Sequence, residues 1–177
     1  MGTQILGIRD SVEFWAKSEG VPSDLAYAVI WHESCAASEG KHLCEIIKQA
    51  IYSSRPEPGF YGLYLRNRPY ATLAGYKPRR IPSPKAEKLL RSQSYGLMQV
   101  MGETARVMGF KGQYLNELFQ PHENIKYGVK WLARWYKKTE QDVEKTLLRY
   151  NGGGNKSYPR KVLQIKENGT WKPLLKF

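Results

Sequence analysis

Residues 22–34, PSDLAYAVIWHES, constrain the fold more than any other stretch. Leu25, Ala26, Ala28, Val29, Ile30 and Trp31 leave a helix here almost no polar face, so it has to be enclosed on all sides rather than laid on a surface. Pro22 suits the first turn and Asp24 the positive end of the helix dipole. The rest of the chain is large enough to supply that enclosure, since 177 residues fit one domain with a real core. Hydrophobic residues at 41% and charged residues at 25% exclude a disordered chain, and no apolar run approaches bilayer length.

The other elements are mostly helical. DSVEFWAKSE (10–19) reads as an amphipathic helix stopped by Gly20, and another is expected around His42–Tyr52. From Ser53 to Pro84 the texture turns to Pro, Gly, Tyr and Arg, which predicts ordered loops and turns with room for a small hairpin. Ser83-Pro84 opens a short helix through KAEKLLR, and ETARVMG is a brief one closed by Gly109. Ile125, Val129, Leu132, Trp135 and Tyr136 mark the clearest long helix, Pro121–Lys138. Thr139 with Asp142 approximates a capping box for a helix through Leu147 and Leu148; NGGGN breaks it, and SYPRKVLQI forms the last helix.

Glu33 stands at the end of the apolar helix. An apolar wall and the negative end of a helix dipole both disfavour a carboxylate, which raises the pKa toward the range a general acid needs. A solvated Glu at a fraying terminus would look the same in local sequence. His32, Cys35, His42 and Cys44 have the spacing H-x2-C-x6-H-x-C, which matches no usual zinc pattern, so no metal and no cofactor are expected. Two free thiols are expected rather than a disulfide.

SYGLMQV places one polar amide, Gln99, among Leu97, Met98 and Val100, with Gly96 as a joint, which describes the wall of a cleft. In RYNGGGN the glycines allow close backbone approach, and Tyr150 with Asn151 reach the same space. Tyr158 is a packing aromatic or a cleft wall. Phe60, Tyr61, Tyr64, Tyr70 and Tyr76 are candidates for stacking on sugars or bases. The formal charge of +12 is concentrated between Arg66 and Arg91, where eight Lys/Arg face Glu87 alone. Such a patch attracts polyanions or simply solvates the surface.

Taken in order, these motifs resemble the lytic transglycosylases related to the soluble murein transglycosylases. Glu33-Ser34 ends a buried helix. Ser94-x-Gly96-Leu97-Met98-Gln99 follows, then Asn124 before a long helix, the Tyr150–Gly153 turn, and Tyr158-Pro-x-x-Val162. The resemblance covers about residues 21–162 and implies a mainly α, lysozyme-like α+β fold in a single domain, 1–177. It implies cleavage of the β-1,4 bond between N-acetylmuramic acid and N-acetylglucosamine, with Glu33 as the one acid/base and closure of a 1,6-anhydro ring. It further implies substrate-binding roles for Ser34, Ser94, Gly96, Leu97, Met98, Gln99, Tyr150, Asn151 and Tyr158.

One departure is the insertion at about 35–93, which separates motifs that lie much closer in relatives. It offers Glu39, Glu45 and Glu57 as a second carboxylate, which would turn the enzyme into a hydrolytic muramidase like goose-type lysozymes. NGGG in place of Asn-Ala-Gly is a mild change. The expected partners are peptidoglycan strands, with anionic wall polymer or outer-membrane lipid on the basic patch, and the expected state is a monomer. A nucleic-acid-binding module would bind DNA with steep salt dependence and ignore Glu33→Gln; it leaves the ordered motifs unexplained, so no nucleic acid is expected. A non-catalytic wall-binding protein would leave Glu33 without a use. The N-terminal MGTQILGIRDSVEFW shows no secretory signal and only part of a myristoylation pattern. Size and charge then resemble phage or prophage endolysins held in the host cytoplasm until release. A virion-associated enzyme is the runner-up and a bacterial enzyme the third reading.

Overall fold

The apolar stretch does become a central rod. The computed structural model describes residues 7–36, 42–75 and 83–177. Helix α2 (Ser23–Ser34) has six consecutive inaccessible residues, Leu25 through Ile30. Full burial of Leu25, Val29 and Ile30 contributes about 1.5–3 kcal/mol each. Ala26 and Ala28 are equally inaccessible, and extra methylenes there would cost about 1–3 kcal/mol. Tyr27 keeps its polar tip satisfied by donating to Glu13 at 3.1 Å, while its ring stacks on Trp171 at 4.8 Å.

The enclosure comes from both ends of the chain. Helix α1 (Ile8–Glu19) ends at Gly20 with φ 72°, whose N–H returns to the Ala16 carbonyl. It packs between α2 and the long helix α7 (Pro121–Lys138); α8 (Val143–Tyr150) joins α7 to α9 (Tyr158–Glu167), which lies along α2. Asp142 itself caps α8, its Oδ1 accepting from the Lys145 N–H at 2.9 Å. Thr139 instead closes α7 by donating to the Trp135 carbonyl at 2.9 Å, so the expected capping box is not made. Asn124 lies inside α7 rather than before it, because Pro121 already provides the first turn.

The expected hairpin is in a different place. After α3 (Leu43–Ile51), strand β1 (Ser54–Pro56) pairs antiparallel with β2 (Gln93–Tyr95), which pairs with β3 (Val100–Met101). The hairpin is therefore β2–β3, closed by Gly96–Gln99, and the insertion contributes only an edge strand. Pro56 and Pro58 stop that strand from running on. Helix α4 (Pro58–Phe60) runs directly into a π-helical turn, Tyr61–Leu65. Helix α5 (Pro84–Arg91) begins as expected, with the Ser83 hydroxyl accepting from the Ala86 N–H at 3.0 Å.

Between α5 and α6 (Gly102–Val107) lies a cluster of buried charges. Glu87 Oε1 accepts from Arg91 Nε at 3.0 Å and from Arg106 Nε at 2.9 Å, and Arg91 Nη1 donates to Glu103 at 2.7 Å. Both arginines are fully inaccessible. Arg91 is thus withdrawn from the basic surface assigned to it by sequence, since its charge is consumed internally. Lys77, Arg79 and Arg80 of that run lie outside the described residues. Among the described residues no helix is long and apolar enough to cross a membrane.

Candidate active site

Glu33 occupies the last turn of α2, where the rod reaches a cleft. Its Oε1 accepts a 2.8 Å hydrogen bond from the Tyr158 hydroxyl at the start of α9. Burial pushes the Glu33 carboxyl above the usual range; the Tyr158 hydrogen bond and the Arg55 charge oppose that, and the Glu57 charge adds to it. Burial also raises Tyr158 well above an ordinary phenol, with the Glu33 charge in the same sense, so Tyr158 is a donor at any ordinary pH. His32 packs edge-on against the Tyr158 ring at 4.8 Å and is held below its usual pKa by burial and then by Lys161. The acid therefore meets a phenol that stays protonated, and that phenol is itself packed against His32.

The motifs noticed in sequence are fastened to one another. Ser34 Oγ donates to the Leu97 carbonyl at 2.6 Å, tying the end of the rod to the hairpin turn. Asn124 accepts from the Met98 N–H at 2.8 Å and donates to the carbonyls of Tyr95 at 2.7 Å and Leu118 at 3.0 Å. All three of those groups are buried, and each would cost about 1–3 kcal/mol if left unpaired. Tyr150 donates to the Met98 carbonyl at 2.8 Å, and its ring lies nearly parallel to that of Tyr158 at 6.4 Å. Gln99 donates to Ser53 Oγ and to the Gly96 carbonyl, both at 2.8 Å, and accepts from Ser94 Oγ at 3.0 Å. Those bonds hold Gln99 at φ 45°, a conformation unfavourable outside glycine.

A cavity of about 600 Å³ opens in front of Glu33, lined in part by Ser94, Gln99, Tyr150 and Asn151. Ser34, Gly96, Leu97, Met98 and Tyr158 are not part of that lining. Leu97 and Met98 are fully buried side chains. Gly96 allows close approach, though of Asn124 rather than of a ligand: a Cβ there would stand 2.6 Å from Nδ2. Of the aromatic set, Phe60 and Tyr64 line the cleft and Tyr61 and Tyr70 do not; Tyr76 is outside the described residues. Arg55 and Glu57 also reach the cleft, carried on and just after β1 and paired to each other at 2.9 Å. Glu45 does not line it, and Glu39 is not described.

Sequence reasoning missed Trp131, which lines the cleft and donates to the Tyr150 carbonyl at 3.3 Å. It falls off the apolar stripe of α7, and a large aromatic off the core stripe was the available signal. Thr104 and Val107 on α6 gave none. Cys35 is buried and Cys44 exposed, and no disulfide joins them.

No solved structure matches the chain. A family model, the transglycosylase SLT domain, matches residues 75–171. The match contains the Gly96–Gln99 turn, Asn124, Tyr150 and Tyr158, while Glu33, Arg55 and Glu57 precede it. Since it extends over more than half of the chain, the protein belongs to the SLT transglycosylase family, whose members are lysozyme-like peptidoglycan lytic transglycosylases, lyases acting on polysaccharide.

Proposed function

We propose that this protein cleaves the β-1,4 bond between N-acetylmuramic acid and N-acetylglucosamine with Glu33 as its single acid/base. The neutral Glu33 carboxyl gives its proton to the bridging oxygen as the bond from that oxygen to the muramoyl C1 breaks. The carboxylate so formed then takes the proton of the muramoyl 6-hydroxyl, whose oxygen attacks C1 and closes a 1,6-anhydro ring. No water is consumed, and the acid is returned to its starting state. The substrate's own N-acetyl group stabilises the developing charge at C1, a role an ordinary glycosidase gives to a second carboxylate.

The observation that carries this reading is the setting of Glu33: desolvated at the head of the cleft and bonded to a phenol rather than to a cation. A protonated carboxyl near neutrality is what the first step needs. Ser34, Asn124 and Tyr150 act as positioning residues by fixing the hairpin turn against the acid, while Gln99, Phe60 and Tyr64 present a polar amide and aromatic faces to the glycan. The test is mass spectrometry of products from purified sacculi with the wild type and Glu33→Gln. Products one water lighter than hydrolytic muropeptides, lost in the variant, are expected.

A second reading, hydrolysis, is favoured by one observation. Glu57 faces the same cleft and is held by Arg55, a second carboxylate able to direct a water. Reducing-end products in the same experiment, abolished by Glu57→Gln, would establish it. The charge of +12 supports a place in phage-type lysis. Production inside a bacterium followed by membrane permeabilisation checks that: rapid lysis dependent on Glu33 is the expected result.

A further inference from the structure

A second cavity, of about 740 Å³, lies on the far side of the turn that follows α8. That volume is within the range of about 300–1,000 Å³ typical of ligand sites. Its wall holds four cations, Lys138, Lys145, Arg149 and Lys156, against the one carboxylate of Glu140. Lys145 is engaged by Asp142 at 2.8 Å. Lys138, Arg149 and Lys156 have no carboxylate partner among the described residues. Lys138 and Arg149 both lie over the Trp135 ring, at 5.4 and 5.8 Å from its centroid, which holds both charges beside the cavity. The Trp135 indole N–H is buried and finds no acceptor among the described residues.

This cavity adjoins the cleft of Glu33. Gly152 lines both, Tyr150 and Asn151 line the cleft, and Leu148, Arg149 and Gly153 line the basic side, so the turn is a thin partition between them. Gly152 and Gly153 have φ of 79° and 81°, and a Cβ on either would meet nothing within 4 Å. The glycines there serve the turn's conformation and keep the partition low. In peptide-bearing peptidoglycan the lactyl carboxyl of each muramoyl residue is taken up in the amide to its stem, so the glycan itself is neutral. The anionic part of peptidoglycan that leaves the glycan at each muramoyl residue is the peptide stem, with its free carboxylates.

Building on the proposed function, we propose that the Lys138–Arg149–Lys156 cavity binds the carboxylates of a peptide stem whose glycan occupies the cleft. The partition at Gly152 would let one muropeptide reach both chambers. The enzyme then reads peptide-bearing glycan in preference to stripped glycan.

The test is calorimetric binding with Glu33→Gln, which retains the ligand uncleaved, and with the same variant also carrying Lys138→Gln, Arg149→Gln and Lys156→Gln. The two ligands are a disaccharide tetrapeptide and the peptide-free disaccharide with its lactyl carboxyl capped as the methylamide, which removes that charge. A peptide-dependent gain of roughly tenfold is expected in the first protein. The gain should be erased in the second, with peptide-free binding the same in both. No gain in the first protein, or a gain that survives loss of the three charges, would overturn the proposal. Displacement by polyglycerol phosphate without any peptide-dependent gain would reassign the cavity to wall polymer. Failure of the proposed function is read separately, from wild-type products on peptide-free glycan.

Discussion

Glu33 and Glu87 are both carboxyls withdrawn from bulk water, Glu87 fully and Glu33 in part at the cleft wall, and the protein treats them in opposite ways. Glu87 is enclosed between α5 and α6 with two arginine N–H donors on one oxygen, at 2.9 and 3.0 Å. Glu33 is given a neutral phenol at 2.8 Å, and burial is left to raise its pKa. A carboxyl tied by two guanidinium donors holds structure. One compensated by a hydroxyl can pass between its two forms, which proton transfer requires. Partner choice together with access to the cleft separates the structural acid from the reactive one.

Removing the charge of each acid should break the comparison most clearly. Glu33→Gln should lower turnover of sacculi by about 10²–10⁴-fold with little change in thermal stability. Glu87→Ala should do the reverse. It leaves Arg91 and Arg106 buried without their shared counter-charge, a loss of about 3–5 kcal/mol, readable as a fall in the denaturant midpoint. Activity of the fraction that remains folded should be near normal. Equal stability losses for the two variants would mean that Glu33 is structural as well.

The pH dependence of stability sharpens the same contrast. The folded-state pKa of Glu33 lies above its unfolded value, so this group's contribution is fully present below the unfolded pKa. It is lost as pH rises through the folded one. Wild type should therefore lose stability relative to Glu33→Gln across that window, and the two melting curves should converge in acid.

How much of this could be read beforehand follows from the range of each signal. The rod, its enclosure and the terminal Glu33 were legible because a dozen residues share one pattern. The order of motifs placed Ser34, Ser94, Gln99, Tyr150 and Tyr158 near the acid. It did not show that Leu97 and Met98 face inward, nor that Gly96 yields to Asn124, because contacts between distant segments leave no local period. Strands of two or three residues are too short to show alternation, so the β2–β3 hairpin was invisible and β1 unforeseen. Arg91 looked like surface because a run of basic residues says nothing about which one meets Glu87.

Tyr158→Phe tests the phenol itself. Its hydroxyl lowers the Glu33 pKa, so removal should move the alkaline limb of the activity profile to higher pH, since the acid stays protonated longer. Loss of the orienting bond should also lower the maximum rate, by up to about a hundredfold. A lowered rate with an unmoved limb would assign Tyr158 to packing alone.

The smallest effect belongs to the pair across the cleft. The Glu57 charge raises the Glu33 pKa and the Arg55 charge lowers it. Glu57→Gln should therefore move the alkaline limb to lower pH, and Arg55→Gln should move it to higher pH. Both side chains are more than a third exposed, so screening should keep either change below about fivefold in rate near neutrality. The opposite signs matter more than the size, because a general loss of folding would move both variants the same way. If Glu57→Gln instead abolished turnover, the cleft would hold two working carboxylates, and the contrast between a lone acid and a paired one would apply to Glu87 alone.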